Sequence, residues 1–509
     1  MDATTTSEQV LATSILLGFY VVFVLFFVIR GARKTKSIQD YALGNISFSP
    51  VAVGLALAAS MTSAATFIIN PGFIALYGIS GVLSMAIVLP LGAFLSLIVL
   101  TKGFRKIGTN VKALTMAQWM GKRYKSKGFA LYFAFLSLLL ITFIVLICVG
   151  LTQVLSKSLN ADPLFVLIGI VAFIFGYMMF GGANSMVYTN TIQAVLMLIV
   201  AFILLGSGYE HFSEGIKGFL SKLNLIDPHL ASMTNPESFL FRDYFEIVFC
   251  QFIIGIAIVC QPHIITKSLL LKDDKAVDKY LVVGIVVEAL FFFVVLTGLY
   301  ARISFPDLSI NGQQIKLDAI ISTYVIAEFP VYVALVVILG LIAAGVSTLE
   351  GLIQSISTTI SEDILKPLFG NKLYNGDGAR EVLVNKVVIV VLAVISIALS
   401  YNQLLNPNLS VGIFAQNGVY AYFAAAFIPV IFGMFLKSVP SQAVIIASVT
   451  ALVVHFTIYY GGITSYMEGP VRNPGIAAAL AILCSVSVAL VLYFIYRNKR
   501  ITDLSAETY

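Results

Sequence analysis

Residues 57–78 of the chain have the sequence LAASMTSAATFIINPGFIALYG, which is apolar enough to enter a membrane but is not a uniform helix. Small and hydroxyl-bearing residues come first, and the tripeptide NPG at 70–72 follows them. Proline removes a backbone donor and glycine weakens a helix, so we expect an interruption that frees the carbonyls of residues 59–63 to face a ligand. The stretch therefore predicts a broken membrane helix.

The whole chain has the composition of a membrane protein. Of its 509 residues, 59% are hydrophobic and 11% are charged, and the mean hydropathy is +0.97. A soluble domain carries about 25% charged residues. Because a helix of about 20 apolar residues crosses the hydrocarbon core of a bilayer, we predict an all-α polytopic protein with about 13 spans, numbered in chain order, near residues 11–30, 48–77, 79–101, 128–156, 162–181, 187–208, 243–270, 280–302, 329–362, 383–402, 409–436, 441–461 and 474–497.

The basic residues indicate the orientation of these spans. With the N-terminus outside, most of the 31 Lys and Arg residues fall on cytoplasmic connections, as the positive-inside bias requires. No basic residue precedes Arg30, so we predict that the first span is retained and is not a cleaved signal peptide. We therefore expect a multi-pass protein of the cell membrane with a cytoplasmic C-terminus, and we attribute the net charge of +6 to topology and not to a nucleic-acid partner.

Enzyme chemistry is not indicated. The four cysteines lie in apolar runs without CxxC spacing, so they form neither a disulfide framework nor a metal site. His and acidic residues are scattered among the spans, whereas a membrane enzyme needs them clustered. We expect the lipid bilayer and a small-molecule solute as partners, and we infer no obligate protein partner.

A second broken helix is predicted in span 7, where residues 260–267 have the sequence CQPHIITK. Five spans separate equivalent positions in spans 2 and 7, so the two helices cross the membrane in opposite directions. Paired interrupted helices of opposite direction are typical of transporters that are built from inverted repeats and bind their ligands near the midplane.

Span 9 carries two adjacent hydroxyls and a carboxylate within the apolar stretch AAGVSTLEGLIQS, residues 343–355. A hard monovalent cation needs several oxygens, and Ser347 and Thr348 supply two. The alternative is that each hydroxyl bonds to a carbonyl one turn earlier in its own helix, without further function.

Several stretches together resemble the sodium/solute symporter family, which includes proline, pantothenate, sialic acid, monocarboxylate and glucose symporters. In chain order they are YALGNISFSP, SMTSAATFIINPG, GKRYKSK, GGANSMVYTNTIQAV, QPHII, AAGVSTLEG and SEDILK. The resemblance implies an inverted five-plus-five repeat core of the leucine-transporter type. It divides the chain into an extra helix with a linker, a first repeat, an external connection, a second repeat and two C-terminal helices, at residues 1–45, 46–208, 209–242, 243–436 and 437–509.

The resemblance also implies a coupling sodium ion between spans 2 and 9. Its expected ligands are the backbone oxygens of Ala59, Thr62 and Ala344 and the hydroxyls of Ser347 and Thr348. Close packing of small residues is the alternative explanation for Ala59, Thr62 and Ala344.

Two residues depart from the family pattern. Asn190 stands where many relatives have an acidic ligand for a second sodium, so we expect one sodium per solute. Glu350 lies on nearly the same helical face as Ser347, and a carboxylate inside a membrane is costly and marks a functional site by default. We hypothesise that Glu350 replaces the missing charge, by attracting sodium or by titrating a proton; the alternatives are a water-filled cavity or a cation such as Lys267 as its partner.

The solute is expected beside sodium. By analogy, its polar contacts are Ser63, Thr66, Thr142, Gln416, Asn417 and Tyr420. Gln261 and His263 are candidates for gating or coupling, together with Asn190 and Glu350, and ordinary packing is the alternative for His263. The residues at sugar- and proline-contacting positions of relatives are absent, which favours a small, partly apolar solute bearing a carboxylate.

The predicted function is sodium-coupled import of a small organic solute by alternating access. Two alternatives stay open at this point: a proton-coupled symporter that uses Glu350, and a membrane protein of the same fold that senses a solute.

Overall fold

A computed structural model describes residues 7–44, 48–111, 113–271, 275–310, 312–374, 378–407, 410–436 and 439–506. Eleven unbroken helices in these residues are long and apolar enough to cross a membrane, and two bent helix pairs bring the number of candidate spans to 13. The predicted all-α polytopic fold is confirmed. In chain order the spans are Ser7–Ala32, Pro50–Met61 with Ala65–Tyr77, Ile79–Lys106, Lys127–Leu159, Pro163–Gly181, Ala183–Gly206, Phe245–Ile258 with Pro262–Leu270, Ala276–Ser304, Val331–Phe369, Gly378–Leu405, Val411–Phe435, Ser441–Gly461 and Pro474–Tyr496.

Short elements join the spans. On the side rich in Lys and Arg they are the helices Ile38–Leu43 and Met116–Arg123. On the opposite side, the helix Gly215–Ile226 precedes span 7, and the helix Ile320–Glu328 precedes span 9. An antiparallel pair of two-residue strands, Ser309–Ile310 and Gln313–Gln314, lies between spans 8 and 9.

Span 2 is interrupted at Thr62 and Ser63, and its two halves meet at 52°. Thr62 has an extended conformation, with φ −97° and ψ 100°, and the Ser63 hydroxyl accepts a hydrogen bond from the Ala65 amide at 3.0 Å. We expected Pro71 to cause the interruption, and this expectation was wrong. Pro71 lies in the first turn of the helix Asn70–Tyr77, where its missing N–H is tolerated after a wide π-helical turn.

Span 7 is interrupted directly before its proline. The segments Phe245–Ile258 and Pro262–Leu270 meet at 58°. Gln261 is extended, with φ −66° and ψ 135°, and Pro262 begins the second segment. Proline restricts the preceding residue to extended conformations and fits the first helical position, so the sequence QP encodes this break.

Span 9 lies inside the bundle, where it packs against spans 2, 4 and 6. Apolar side chains on the outer helices face outward, including Phe19, Phe165 and Phe202, which are all more than half exposed. Such a surface is expected where helices contact lipid. The interior position of span 9 explains how its polar residues reach spans 2, 5 and 6.

Glycines allow spans 3 and 7 to approach closely. A Cβ at Gly255 would lie 2.2 Å from the Leu89 carbonyl oxygen, and one at Gly92 would lie 2.6 Å from that of Phe252. Small residues at such crossings let helix backbones touch.

The connection before span 9 closes over the end of span 11. Asp318 is buried and accepts hydrogen bonds from the Ser410 hydroxyl at 2.5 Å and from the Val411 amide at 3.1 Å. Burial raises the pKa of the Asp318 carboxyl above its ordinary value, although both hydrogen bonds lower it. The carboxylate therefore caps the helix that begins at Val411.

Candidate functional site

Ser347 joins span 9 to the broken end of the first half of span 2. Its hydroxyl donates to the Ala59 carbonyl at 2.7 Å and to the Ala344 carbonyl, one turn earlier in its own helix, at 3.1 Å. The shorter contact crosses between the helices. Bonding within span 9 alone therefore does not account for this hydroxyl.

Thr348 makes the same connection. Its hydroxyl lies 3.1 Å from the Ser60 carbonyl, 3.4 Å from that of Ala59 and 3.5 Å from that of Ala344. Thr62, where span 2 breaks, is fully buried, and its hydroxyl has no hydrogen-bond partner in the described part of the chain. The predicted oxygens of residues 59, 344, 347 and 348 thus lie together, with Thr62 at the adjoining helix end.

These oxygens have the chemistry of a sodium ligand set. They are two carbonyls and two hydroxyls, all uncharged and out of contact with solvent. To hold a cation, the two hydroxyl groups must turn their protons away and present lone pairs, since a metal ion accepts no hydrogen bond. Assignment of the ion to this cluster stays a prediction.

Asn190 links span 6 to the same cluster. Its amide nitrogen lies 3.0 Å from the Ser60 hydroxyl and 3.4 Å from the Ser347 carbonyl oxygen. Its side-chain oxygen is buried without a partner among the described residues. The uncharged Asn190 therefore occupies the position at which the sequence predicts no carboxylate for a second sodium.

Glu350 faces spans 5 and 6 and is fully buried. Its two carboxylate oxygens accept hydrogen bonds from the Tyr177 hydroxyl at 2.5 Å and from the Thr189 hydroxyl at 2.7 Å. Among the described residues no ion pair joins Glu350 to Lys267. Lys267 is therefore not in direct contact with Glu350 and acts on it only as a more distant positive charge, while two hydroxyl donors hold the carboxylate.

A central cavity of about 90 Å³ lies beside the break in span 2. Four of the predicted solute contacts line it, namely Ser63, Thr66, Gln416 and Tyr420. Gln261 lines it as well. The polar part of this lining is uncharged, and the break in span 2 presents the first turn of the half-helix Ala65–Tyr77 to the cavity.

Two predicted solute contacts lie outside this lining. Thr142 donates to the Leu139 carbonyl at 2.8 Å and to the Ala415 carbonyl at 3.2 Å. Asn417 donates to the Tyr460 hydroxyl at 3.0 Å, and its side-chain oxygen lies 3.0 Å from a ring nitrogen of His455. Both side chains are engaged with neighbouring spans, so the structure does not bring them to the cavity.

Other lining residues were not predicted. Asn70 is polar, and its place before proline in an apolar span is a signal that could have identified it. The rest of the lining is mainly apolar and is indistinguishable by sequence from the remaining core, for example Phe143, Leu146, Ile258, Phe292, Val419 and Phe423.

A thin layer separates the central cavity from a second cavity nearer the Lys- and Arg-rich side. Phe143 lines the first cavity and His263 the second, and their ring centroids are 6.4 Å apart. Gln261 and His263 therefore lie on opposite faces of the break in span 7. The geometry suits a gate, and the gating role stays a prediction.

Comparison with known proteins agrees with this geometry. Residues 41–451 match the sequence profile of the sodium:solute symporter family. The chain belongs to this family. The symporter thus belongs to a family of membrane transporters, not of enzymes, and it couples sodium to the transport of a small solute.

Relatives of this symporter include bacterial transporters with named solutes. The sodium/pantothenate symporter of Escherichia coli is 27% identical over 371 residues, which cover 70% of this chain and 73% of the relative. A sodium/proline symporter of Staphylococcus aureus is 23% identical over 471 residues, covering 89% and 87% of the two chains.

Solved structures share the fold of this symporter. A Na⁺-coupled sialic acid symporter in a substrate-bound outward-open state matches with a TM-score of 0.74 at 16% identity, over 94% of this chain and 98% of its own. A nucleobase-cation-symport-1 family transporter in a closed conformation matches with a TM-score of 0.52 at 13% identity, over 90% and 93% of the two chains.

Proposed function

We propose that the chain imports a small carboxylate-bearing solute together with one sodium ion, which binds between spans 2 and 9. The observation that carries this proposal is the convergence of the Ala59 and Ala344 carbonyls on the Ser347 hydroxyl, at 2.7 and 3.1 Å. These oxygens belong to two helices, one of them broken. An ion held there ties the helices together in one state and releases them in another.

Coupling follows from this arrangement. Sodium favours the state in which span 9 lies against the broken end of span 2, and the solute cavity begins at the same break, at Ser63. Two ligands that favour one conformation raise each other's affinity by the same factor. Movement of span 9 away from span 2 opens the oxygen cluster and lowers both affinities.

A carboxylate is supported by three observations. The cavity contacts the start of a half-helix, whose dipole favours an anion, and the proposed sodium site adjoins the same break. The solutes named for the relatives, pantothenate, proline and sialic acid, all carry a carboxylate. A cavity of about 90 Å³ between aromatic side chains suits a small, partly apolar body.

A single sodium is supported by the residue in span 6. Asn190 presents an amide where relatives that bind a second sodium have a carboxylate, and its nitrogen donates to Ser60. The amide of Asn190 is uncharged, so span 6 lacks the anionic oxygen of that second site. We also propose the predicted orientation, with the N-terminus outside, and the repeat boundaries given above.

Transport by the purified protein in proteoliposomes tests the proposal. An inward sodium gradient is applied with a panel of small carboxylates, their amides and neutral analogues, and the sodium and solute fluxes are measured together. We expect accumulation of a carboxylate with a sodium-to-solute ratio near one. Uptake driven by a pH gradient without sodium would favour proton coupling, and solute binding without any flux would favour a sensor.

A further inference from the structure

The second cavity, of about 40 Å³, lies beyond His263 on the side of the Lys- and Arg-rich connections. We call it the inner cavity. Residues of spans 7 and 9 and of the connection before span 4 line it, including His263, Lys267, Thr115, Gln354 and Thr358. Its volume accommodates about three water molecules or one carboxylate group.

Three side chains of the inner cavity lack partners. The Lys267 amine, both ring nitrogens of His263 and the Thr358 hydroxyl have no hydrogen-bond partner in the described parts of the chain. These residues are 2%, 3% and 2% exposed. An unpaired buried polar group costs about 1–3 kcal/mol, and an unpaired charge costs more. Three such groups around one cavity indicate that a ligand is missing there.

The neighbouring polar groups are already engaged. Thr115 donates to the Asp363 carboxylate at 2.5 Å, and the Gln354 amide donates to the Ala42 carbonyl at 2.6 Å. Glu350, the acidic residue that follows Ser347 on span 9, is held by Tyr177 and Thr189. No carboxylate of the described residues lies within 4 Å of the Lys267 nitrogen. The inner cavity therefore lacks a hydrogen-bond acceptor for its unpartnered donors, and in particular an anionic acceptor.

We propose that the inner cavity is a binding site for a small carboxylate. The protonated amine of Lys267 supplies the charge, and an N–H of His263 and the hydroxyl of Thr358 supply further donors. Hydrogen bonds in which a partner is charged are roughly twice as strong as those between neutral groups. The occupant is either the transported solute, after it has passed His263, or a free carboxylate of the cytoplasm.

Binding of the transported solute in the inner cavity rests on the proposed function, whereas binding of a carboxylate as such does not. A solute leaving the central cavity passes the Phe143–His263 layer and meets Lys267 next. The positive charge of Lys267 attracts an anion from the central cavity and slows its return. The same charge binds a free carboxylate when no solute is present.

The full-length purified protein provides its own reporter. Trp119 is the only tryptophan of the 509 residues, and it lies on the helix Met116–Arg123, whose first residue lines the inner cavity. Choline acetate is titrated in sodium-free buffer, with choline chloride at equal ionic strength as the reference. We expect a saturable change of tryptophan fluorescence with acetate that chloride does not reproduce.

We expect Lys267→Met to raise the acetate concentration for the half-maximal fluorescence change at least tenfold. The isosteric Thr358→Val should raise it by a smaller factor. Lys102→Met is the matched control, since Lys102 is exposed and paired with Asp278 at 2.6 Å. Because Lys267→Met removes an unpaired buried amine, its Tm without acetate should equal or exceed that of the unmodified protein, which excludes misfolding as the cause. No saturable response in the unmodified protein, or an equal response in Lys267→Met, would overturn the proposal.

Efflux from proteoliposomes separates the two sources. If the solute uses the inner cavity, Lys267→Met raises the KM of efflux more than that of uptake. If a free carboxylate is the occupant, the unmodified protein still gives the acetate response, and Lys267→Met leaves the KM of efflux unchanged. Because the acetate titration needs neither sodium nor transport, its failure is distinct from failure of the proposed symport.

Discussion

At the scale of single residues, the proposed sodium cluster contains no charged ligand, and the nearest acidic residue along span 9 is Glu350. It follows Ser347 by nearly one helical turn but points to spans 5 and 6. Two charges roughly 8 Å apart interact by about 2 kcal/mol at an effective dielectric constant of about 20. Glu350 can therefore raise the affinity for sodium without contacting the ion. This is the first alternative of our hypothesis, in which the charge of Glu350 attracts sodium.

Replacement of this charge tests the idea. We expect Glu350→Gln to raise the sodium concentration for half-maximal transport by about tenfold or more, because about 1.4 kcal/mol corresponds to a factor of ten. The measurement is sodium-dependent solute uptake at several pH values, with Ser396→Ala as the control. Among the described residues, the Ser396 hydroxyl bonds only to the Leu392 carbonyl of its own helix, at 2.7 Å. An unchanged sodium dependence at every pH would remove Glu350 from the coupling mechanism.

At the scale of elements, the predictable features were those with a local backbone signal. The break before Pro262 follows from the restriction that proline places on Gln261, and the structure has it there. The break in span 2 depends on capping of the Ala65 amide by Ser63, which one serine among many hydroxyl-bearing residues does not reveal. Pro71 was a stronger signal but occupies a helix start that tolerates it.

Close packing of spans 3 and 7 leads to a prediction about stability. Gly255→Ala should lower the Tm, since its methyl group would lie 2.2 Å from the Leu89 carbonyl oxygen, and such overpacking costs about 1–3 kcal/mol. Gly169→Ala is the matched control, because a Cβ there meets nothing within 4 Å. Thermal unfolding of both variants in detergent decides the matter, and an equal or higher Tm for Gly255→Ala would contradict the packing described.

The cap formed by Asp318 makes stability depend on pH. Its folded pKa is raised above the ordinary 3.8, so above about pH 4 the folded protein binds more protons than the unfolded chain. The contribution of Asp318 to stability therefore falls as pH rises through this window. We expect the Tm of the unmodified protein, relative to Asp318→Asn, to decline as the pH rises above about 4. A difference that is constant or rises with pH would contradict the raised pKa.

At the scale of the whole molecule, the sequence was sufficient for the span number, the fold and the family. The hydropathy pattern and the order of the family motifs each extend over most of the chain. An error in the position of one helix break therefore does not change these predictions. The rotation of side chains about each helix was less predictable. Thr142 and Asn417 lie on the right spans but face neighbouring helices, because a span that is apolar all round has no polar face to define its inner side.

The account depends on an ion that joins two spans through uncharged oxygens. Equilibrium binding of radioactive sodium to the purified protein measures this most directly. We predict one saturable site per chain, with an affinity that falls at least tenfold in the double variant Ser347→Ala, Thr348→Ala and is unchanged in Ser396→Ala. Sodium binding of equal affinity in the double variant would contradict the central claim.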